Sequence, residues 1–511
     1  MKNIFLIFSL IFLLSACGGR NGNDYEPYEN DLTEQNSNGE YENGEFETAE
    51  PEIEPPPPDI PIYNEYNISL EIDPSARTVQ GISHIEFTNR ADIPLDTIVL
   101  RVYLNAFGED VSPPPFFPEL EWRVFPNEPD FGYMDIQYAF ADNEPLDFIL
   151  DETILTLNLA EPLKPNTTIQ LLLQYNAQIP QMAHRTGSND YAMWFGMFLP
   201  TLAVFGEDGW HTESHYPAGS PFLLETANYR VEITTPSRYV VVGTGLRTEE
   251  VIGDTDTKIT HFTAHQARDF AFAISPYFQN ARISTESGID IHFYYYTETL
   301  LIDEILEISR RTFEHFEEQI GAYPLGHLTI VETDLVEDSF SFSQIVFVDS
   351  WYLNRGGRYW GVAHGIGNQW FANIIGTNRT LSPWLTDGLT RFVQAPIFYP
   401  TPESLRARME RDHVSIEDRT TLFLYRGLYA SPNRAHYAHT HGRKAMLMFY
   451  ALNHHMGDEL FREFLSEYYQ QFSFNIATAE NFIELAEEIY GNSLHDFFYE
   501  WIHKGTVPEL P

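Results

Sequence analysis

Cysteine is almost missing from this sequence: one residue in 511, Cys17. A single thiol rules out any disulfide within the chain. Positive charge is scarce as well, with 30 Lys and Arg against 74 Asp and Glu and a net charge of −44. Nucleic acid demands a basic surface, so that partner is excluded, and so is an electrostatic grip on anionic lipid. The acidity is read as the solubility of an exposed protein. The apolar run from Ile4 to Leu14 is too short to span a bilayer as a stable helix. No G-x-S-x-G elbow is present to support a serine hydrolase, and no repeat of solenoid length is evident.

What is there begins with a leader. Lys2, the apolar run and the small residues before Cys17 fit a secretory signal. Leu14-Ser15-Ala16-Cys17 resembles the lipobox of bacterial lipoproteins, in which the cysteine is lipidated and becomes the new N-terminus. The expectation is a signal peptide over 1–17 and an extracytoplasmic protein, lipid-anchored to a bacterial membrane through Cys17. An ordinary cleaved signal with an incidental cysteine is the plainer alternative. Residues 18–61 read as a disordered acidic tether. Between 21 and 61 there are thirteen Asp or Glu and no Lys or Arg, and the stretch ends in Pro55-Pro56-Pro57-Pro58. Such a composition cannot offset the entropy of ordering.

The remainder is too long for one core, and its 43% hydrophobic residues suffice for more than one. Ile98, Leu100, Val102 and Leu104 alternate in TIVLRVYLN, as do Ile169, Leu171, Leu173 and Tyr175, then Tyr229, Val231 and Ile233. These runs, broken by Pro, Asn and Asp, predict an antiparallel β-sandwich over 62–284. After the strand IDIHFYYY the period becomes helical. Ile302, Ile305, Leu306, Phe313, Phe316 and Ile320 form one stripe. Residues 285–511 are therefore an α+β domain, and the fold class is α+β and multidomain.

One stretch of that domain bears on chemistry: VAHGIGNQWFANIIG, from Val362 to Gly376. An H-E-x-x-H helix sets two histidine ligands for zinc and a glutamate base on one face. This chain has the first histidine, His364, then Gly365 and Asn368. Nineteen residues past Asn368 lies Asp387, in SPWLTDGLTRF. With Gln369-Trp370-Phe371, Asn373, Gly376 and Pro383-Trp384-Leu385 at matching spacing, the sequence resembles the membrane alanine aminopeptidase family, the thermolysin-like gluzincin zinc peptidases. ESHYPAGSPF, ANYRVEITTP, ARDFAFAISPYF, HHMGDELFREFL and the terminal DFFYEWIHKGTVPEL extend the resemblance over about 62–511. It implies a thermolysin-like metallopeptidase fold for 285–511.

The departures fall on the chemistry that the resemblance implies. The first zinc ligand matches at His364, the base position is Gly365, the second ligand position is Asn368 and the third is Asp387. The segment that holds the substrate amine reads Ser339-Phe340-Ser341-Phe342-Ser343-Gln344, without glutamate. Counting back from Gly457, the catalytic tyrosine position is Gly442. An amide is a weak zinc ligand and glycine cannot act as a base. His364 and Asp387 are thus vestigial metal ligands, with zinc absent or weakly bound. The plainer readings are a hydrogen-bonded core histidine and a local cap or ion pair. Gly365 and Gly367 cost a helix about 1 kcal/mol each relative to Ala unless something approaches them closely. His436, His439 and His441 in RAHYAHTHGRK are dense enough to rebuild a metal site, although a solvated polar loop is the simpler reading. The function expected is a catalytically inactive lipoprotein that binds a peptide or protein. The alternative is an active zinc-dependent aminopeptidase.

Overall fold

Strands form where apolar side chains alternate. In Thr78–Thr88 and Thr168–Gln178 the buried positions recur at every second residue, and the two strands pair antiparallel with Ile85 opposite Leu171. The computed structural model describes residues 63–252, 256–298, 300–355 and 359–511. The expected signal peptide, Cys17 and tether lie outside them.

The first half is built on an eight-stranded sheet. Its order is Leu246–Ile252, Thr257–Ala267, Ala227–Pro236, Asn64–Asp73, Thr78–Thr88, Thr168–Gln178, Tyr133–Ala141 and Glu144–Pro145. Two four-stranded sheets share one apolar core with it, through Trp194 and Phe272 from one and Ile98 and Leu155 from the other. The β-sandwich is borne out with one difference. Asn64–Asp73 runs parallel to Ala227–Pro236, Ile68 lying opposite Val231. The TIVLRVYLN run is also shorter as a strand than its alternation suggests. It ends at Arg101 and continues as a 3-10 turn over Tyr103–Phe107, in which Leu104 stays buried.

A five-stranded sheet opens the second half, in the order Gln279–Ser284, Asp290–Tyr295, His327–Thr333, Ile345–Asp349 and Ser339–Phe342. Its two inner pairings are parallel and its two outer ones antiparallel. Gln279–Ser284 hydrogen-bonds along Asp290–Tyr295. The sheet boundary therefore falls before Gln279 rather than at residue 284, where the change of sequence period had placed it. The helix Ile302–Gln319 links two parallel strands and buries Ile305, Leu306, Phe313 and Phe316. Asp303 and Glu304 in its first turn suit the positive end of the helix dipole. From Ser350 onward the chain is mostly helical, around a second core that includes Trp370, Trp384, Phe449 and Phe482. Among the described residues, no helix is long and apolar enough to cross a membrane.

Polar contacts bridge the two halves: Thr244 Oγ1 donates to the Ser343 carbonyl, Ser343 N donates to Asp269 Oδ1, and Arg123 pairs with Asp349. Arg268, 5% exposed, donates to the carbonyls of Leu224, Asn373, Ile374 and Asn475 at 2.6–3.0 Å.

Candidate functional site

The helix carrying His364 spans Trp360–Asn368 and runs directly into a π-helical turn, Gln369–Ile374. All its residues but Trp360 and His364 are buried. The glycines are explained by what presses on the helix. A Cβ on Gly365 would fall 2.4 Å from Val346 Cγ1, and one on Gly367 2.3 Å from Phe316 Cζ. The strand Ile345–Asp349 and the helix Ile302–Gln319 thus approach more closely than alanine would permit, and packing offsets the poor helix propensity.

Asp387 lies in the first turn of the helix Trp384–Phe398, where Gly388 lets Ala445 approach. Arg391 is placed one turn later and shares the face of Asp387. The two helices enclose a cavity of about 170 Å³, whose wall includes His364, Asn368, Arg379, Asp387, Arg391, Tyr437 and Gly442.

The structure brings the sequence-predicted residues together. His364 Nε2 and Asp387 Oδ1 are 3.9 Å apart. His364 Nδ1 is buried without a hydrogen-bond partner, while the Gln394 side chain is a hydrogen-bonding neighbour of the imidazole. Burial holds its imidazole down to about 4, with Arg391 and Arg379 adding to the effect and Asp387 opposing it. Asp387 accepts a hydrogen bond from the Tyr437 hydroxyl. Asn368 Oδ1 is engaged too, accepting from Thr390 Oγ1 at 2.8 Å. Ser341 Oγ accepts from Gln369 Nε2 at 2.9 Å and Asn373 Nδ2 at 3.0 Å, so the segment without glutamate is held by amides. At Gly442 an added Cβ would sit 3.2 Å from Arg391 Nε. Arg391 occupies the space beside the expected tyrosine position.

These donors do not fit the family's zinc. One imidazole and one carboxylate face each other, the third position is an amide already in use, and two guanidinium groups line the same cavity. Zinc sites use three or four N, S or carboxylate ligands. Among the described residues, no group of three or more His, Cys, Asp and Glu is placed to hold a metal ion.

The three further histidines do not gather. They lie on the helix Arg434–Tyr437 and the π-helical segment Ala438–Lys444, not on a solvated loop, because the chain there continues into the helix Ala445–Met456. His441 is fully buried, its Nε2 3.1 Å from the Gly427 carbonyl. His436 Nε2 lies 3.3 Å from the Thr421 carbonyl, and His439 Nδ1 is buried without a partner.

Sequence reasoning missed the charged remainder of the cleft. Arg434 pairs with Glu337 at 2.6 Å, and Arg185, stacked on Phe340, donates to the Gly219 carbonyl. Burial raises the Asp338 carboxyl, with Glu337 reinforcing the effect. A helical signal could have flagged Arg391, four residues past Asp387. Arg379, in a loop, carried none.

Residues 360–501 match the model of the Peptidase family M1 domain. No match was found among curated proteins. The fold is similar to that of an M1 zinc metallopeptidase from Deinococcus radiodurans, with 15% identity and a TM-score of 0.67, covering 88% of this chain and 95% of that one. A mutant of that metallopeptidase bound to a Tyr-Ser-Ala substrate matches with 15% identity and a TM-score of 0.66, over 88% and 96% of the two chains.

Proposed function

We propose that this protein is a catalytically inactive member of peptidase family M1, whose model residues 360–501 match, and that it uses its cleft to bind a peptide or protein. The observation that carries this reading is the filled space at residue 365. The base position has no side chain, and Val346 lies where one would begin. General bases contribute about 10²–10⁴ in rate, and this one cannot be regained by a rotamer change. The engaged Asn368 amide and the Arg391 side chain beside Gly442 support the same conclusion. A peptide is the ligand class by likeness to the mutant Deinococcus metallopeptidase of similar fold, which is bound to a Tyr-Ser-Ala substrate.

The test is metal analysis of the purified protein together with assays of N-terminal residue release. No stoichiometric zinc and no release above background are expected. One tightly bound zinc with chelator-sensitive release would establish an active aminopeptidase instead. In the cell the protein is a lipoprotein held at a bacterial membrane by Cys17, on the strength of the LSAC sequence. Replacing Cys17→Ser should release it from membranes, and retention without the cysteine refutes the anchor.

A further inference from the structure

We infer that the cavity beside His364 is a carboxylate-binding site, in which Arg379 and Arg391 receive the carboxylate of a short peptide or free amino acid. The inference rests on the reading of the cleft as a peptide-binding site and names the group recognised there.

Four arginines surround this region, and they are not equivalent. Arg434 is paired with Glu337, and Arg185 is satisfied by the Gly219 carbonyl. Arg379 and Arg391 make no hydrogen bond or ion pair with any described residue, and Arg391 Nε is buried without an acceptor. Both line the cavity. Both side chains are half-buried, and the enclosed Arg391 Nε, cut off from water, is costly unless a ligand supplies its acceptor. The side chain itself is accommodated by Gly442, where a Cβ would lie 3.2 Å from Arg391 Nε. The glycine at the expected tyrosine position and the arginine are therefore one arrangement.

The acidic groups of the cavity narrow the ligand. Asp387 acts electrostatically on Arg379, and Asp338 on Arg391, but neither carboxylate is hydrogen-bonded to an arginine. Asp387 already accepts from Tyr437. A planar carboxylate, singly charged, can take two parallel N–H donors from a guanidinium. A phosphate, more highly charged, would meet stronger repulsion from Asp387, Asp338 and Glu337. The cavity, about 170 Å³ and open to solvent, has room for one terminal residue. With a net charge of −44 the molecule offers no long-range attraction for an anion, so recognition is local.

The experiment is calorimetric titration of the full chain with N-acetyl dipeptides that differ in the last side chain, each as free acid and as C-terminal amide, and with inorganic phosphate. At least one free acid should bind ten times more tightly than its amide. Arg391→Met and Arg379→Met should each abolish that difference, with melting temperatures confirming a folded chain, while Arg391→Lys retains part of it. Equal binding of acid and amide leaves a peptide cleft but overturns the carboxylate site. Binding of neither overturns the carboxylate site, and leaves a protein partner as the ligand of the cleft. Phosphate binding more tightly than every acid overturns the choice of ligand.

Discussion

A Cβ on residue 365 would lie 2.4 Å from Val346 Cγ1 and 3.3 Å from Ser339 Oγ, so two effects oppose each other there. Helix propensity alone favours Gly365→Ala by about 1 kcal/mol. Overpacking a closed core costs about 1–3 kcal/mol. The contact is with a fully buried strand residue that has no room to retreat, so packing should win. Gly365→Ala is expected to destabilise the protein by about 1–2 kcal/mol in urea melts, and Val346→Ala in the same chain should reverse part of that loss. A stabilised single variant would show the strand to be free to move. Gly365→Glu is expected to be worse and to restore no peptidase activity. The residues that define the site were partly legible in the sequence. His364, Asn368 and Asp387 stand at family spacing, and the structure places all three in one cleft. Arg379 and Arg391 escaped notice because spacing compares only the ligand positions and says nothing of the other side chains that line the cavity.

At the scale of elements, period was the reliable signal and boundaries were not. Alternation identified Thr168–Gln178 and Ala227–Pro236, and the helical stripe identified Ile302–Gln319. Gln279–Ser284 looks like any other strand, and only its partner reveals which sheet it joins. The histidine-rich segment misled for a related reason: its polarity suggests solvent, whereas His441 is buried. That burial has a consequence for pH. His441 Nε2 lies against the Gly427 carbonyl, while Nδ1 is enclosed without an acceptor, so a second proton has nowhere favourable to go. Burial first, opposed by Asp387, pushes its folded-state value down to about 4. The unfolded chain binds that proton near 6.5. Between about pH 6.5 and 4 the unfolded state therefore carries more protons, and stability falls as the pH is lowered. His441→Gln should flatten that part of the stability-against-pH curve relative to the parent, measured by denaturant melts at pH 7, 6 and 5. An unchanged slope would assign the acid sensitivity elsewhere.

At the scale of the whole molecule, residues 61–511 form one compact unit, although the chain contains two large apolar cores. Two cores that unfold together need a junction too costly to break alone, and Arg268 is placed to make one. Its guanidinium donates to Leu224 on the sandwich side and to Asn373, Ile374 and Asn475 on the helical side. Four carbonyls converge on one buried cation, although those of Ile374 and Asn475 also accept from the backbone N–H groups of Phe474 and Gly376 at 2.8 Å. A Cβ on Gly376 would lie 2.4 Å from the guanidinium carbon, so the chain closes tightly around it. Each buried acceptor left without a donor costs about 1–3 kcal/mol. Some would recover a water, and a total of about 3–5 kcal/mol is expected for Arg268→Met. The parent should unfold in a single transition seen alike by far-ultraviolet dichroism and tryptophan fluorescence. If Arg268 is the junction, the methionine variant should lose that coincidence, because Trp194 reports on the sandwich core while Trp370 and Trp384 report on the helical one. Coincident transitions in the variant, shifted by less than about 1 kcal/mol, would mean that the apolar contact between the halves suffices and that the arginine only fills it.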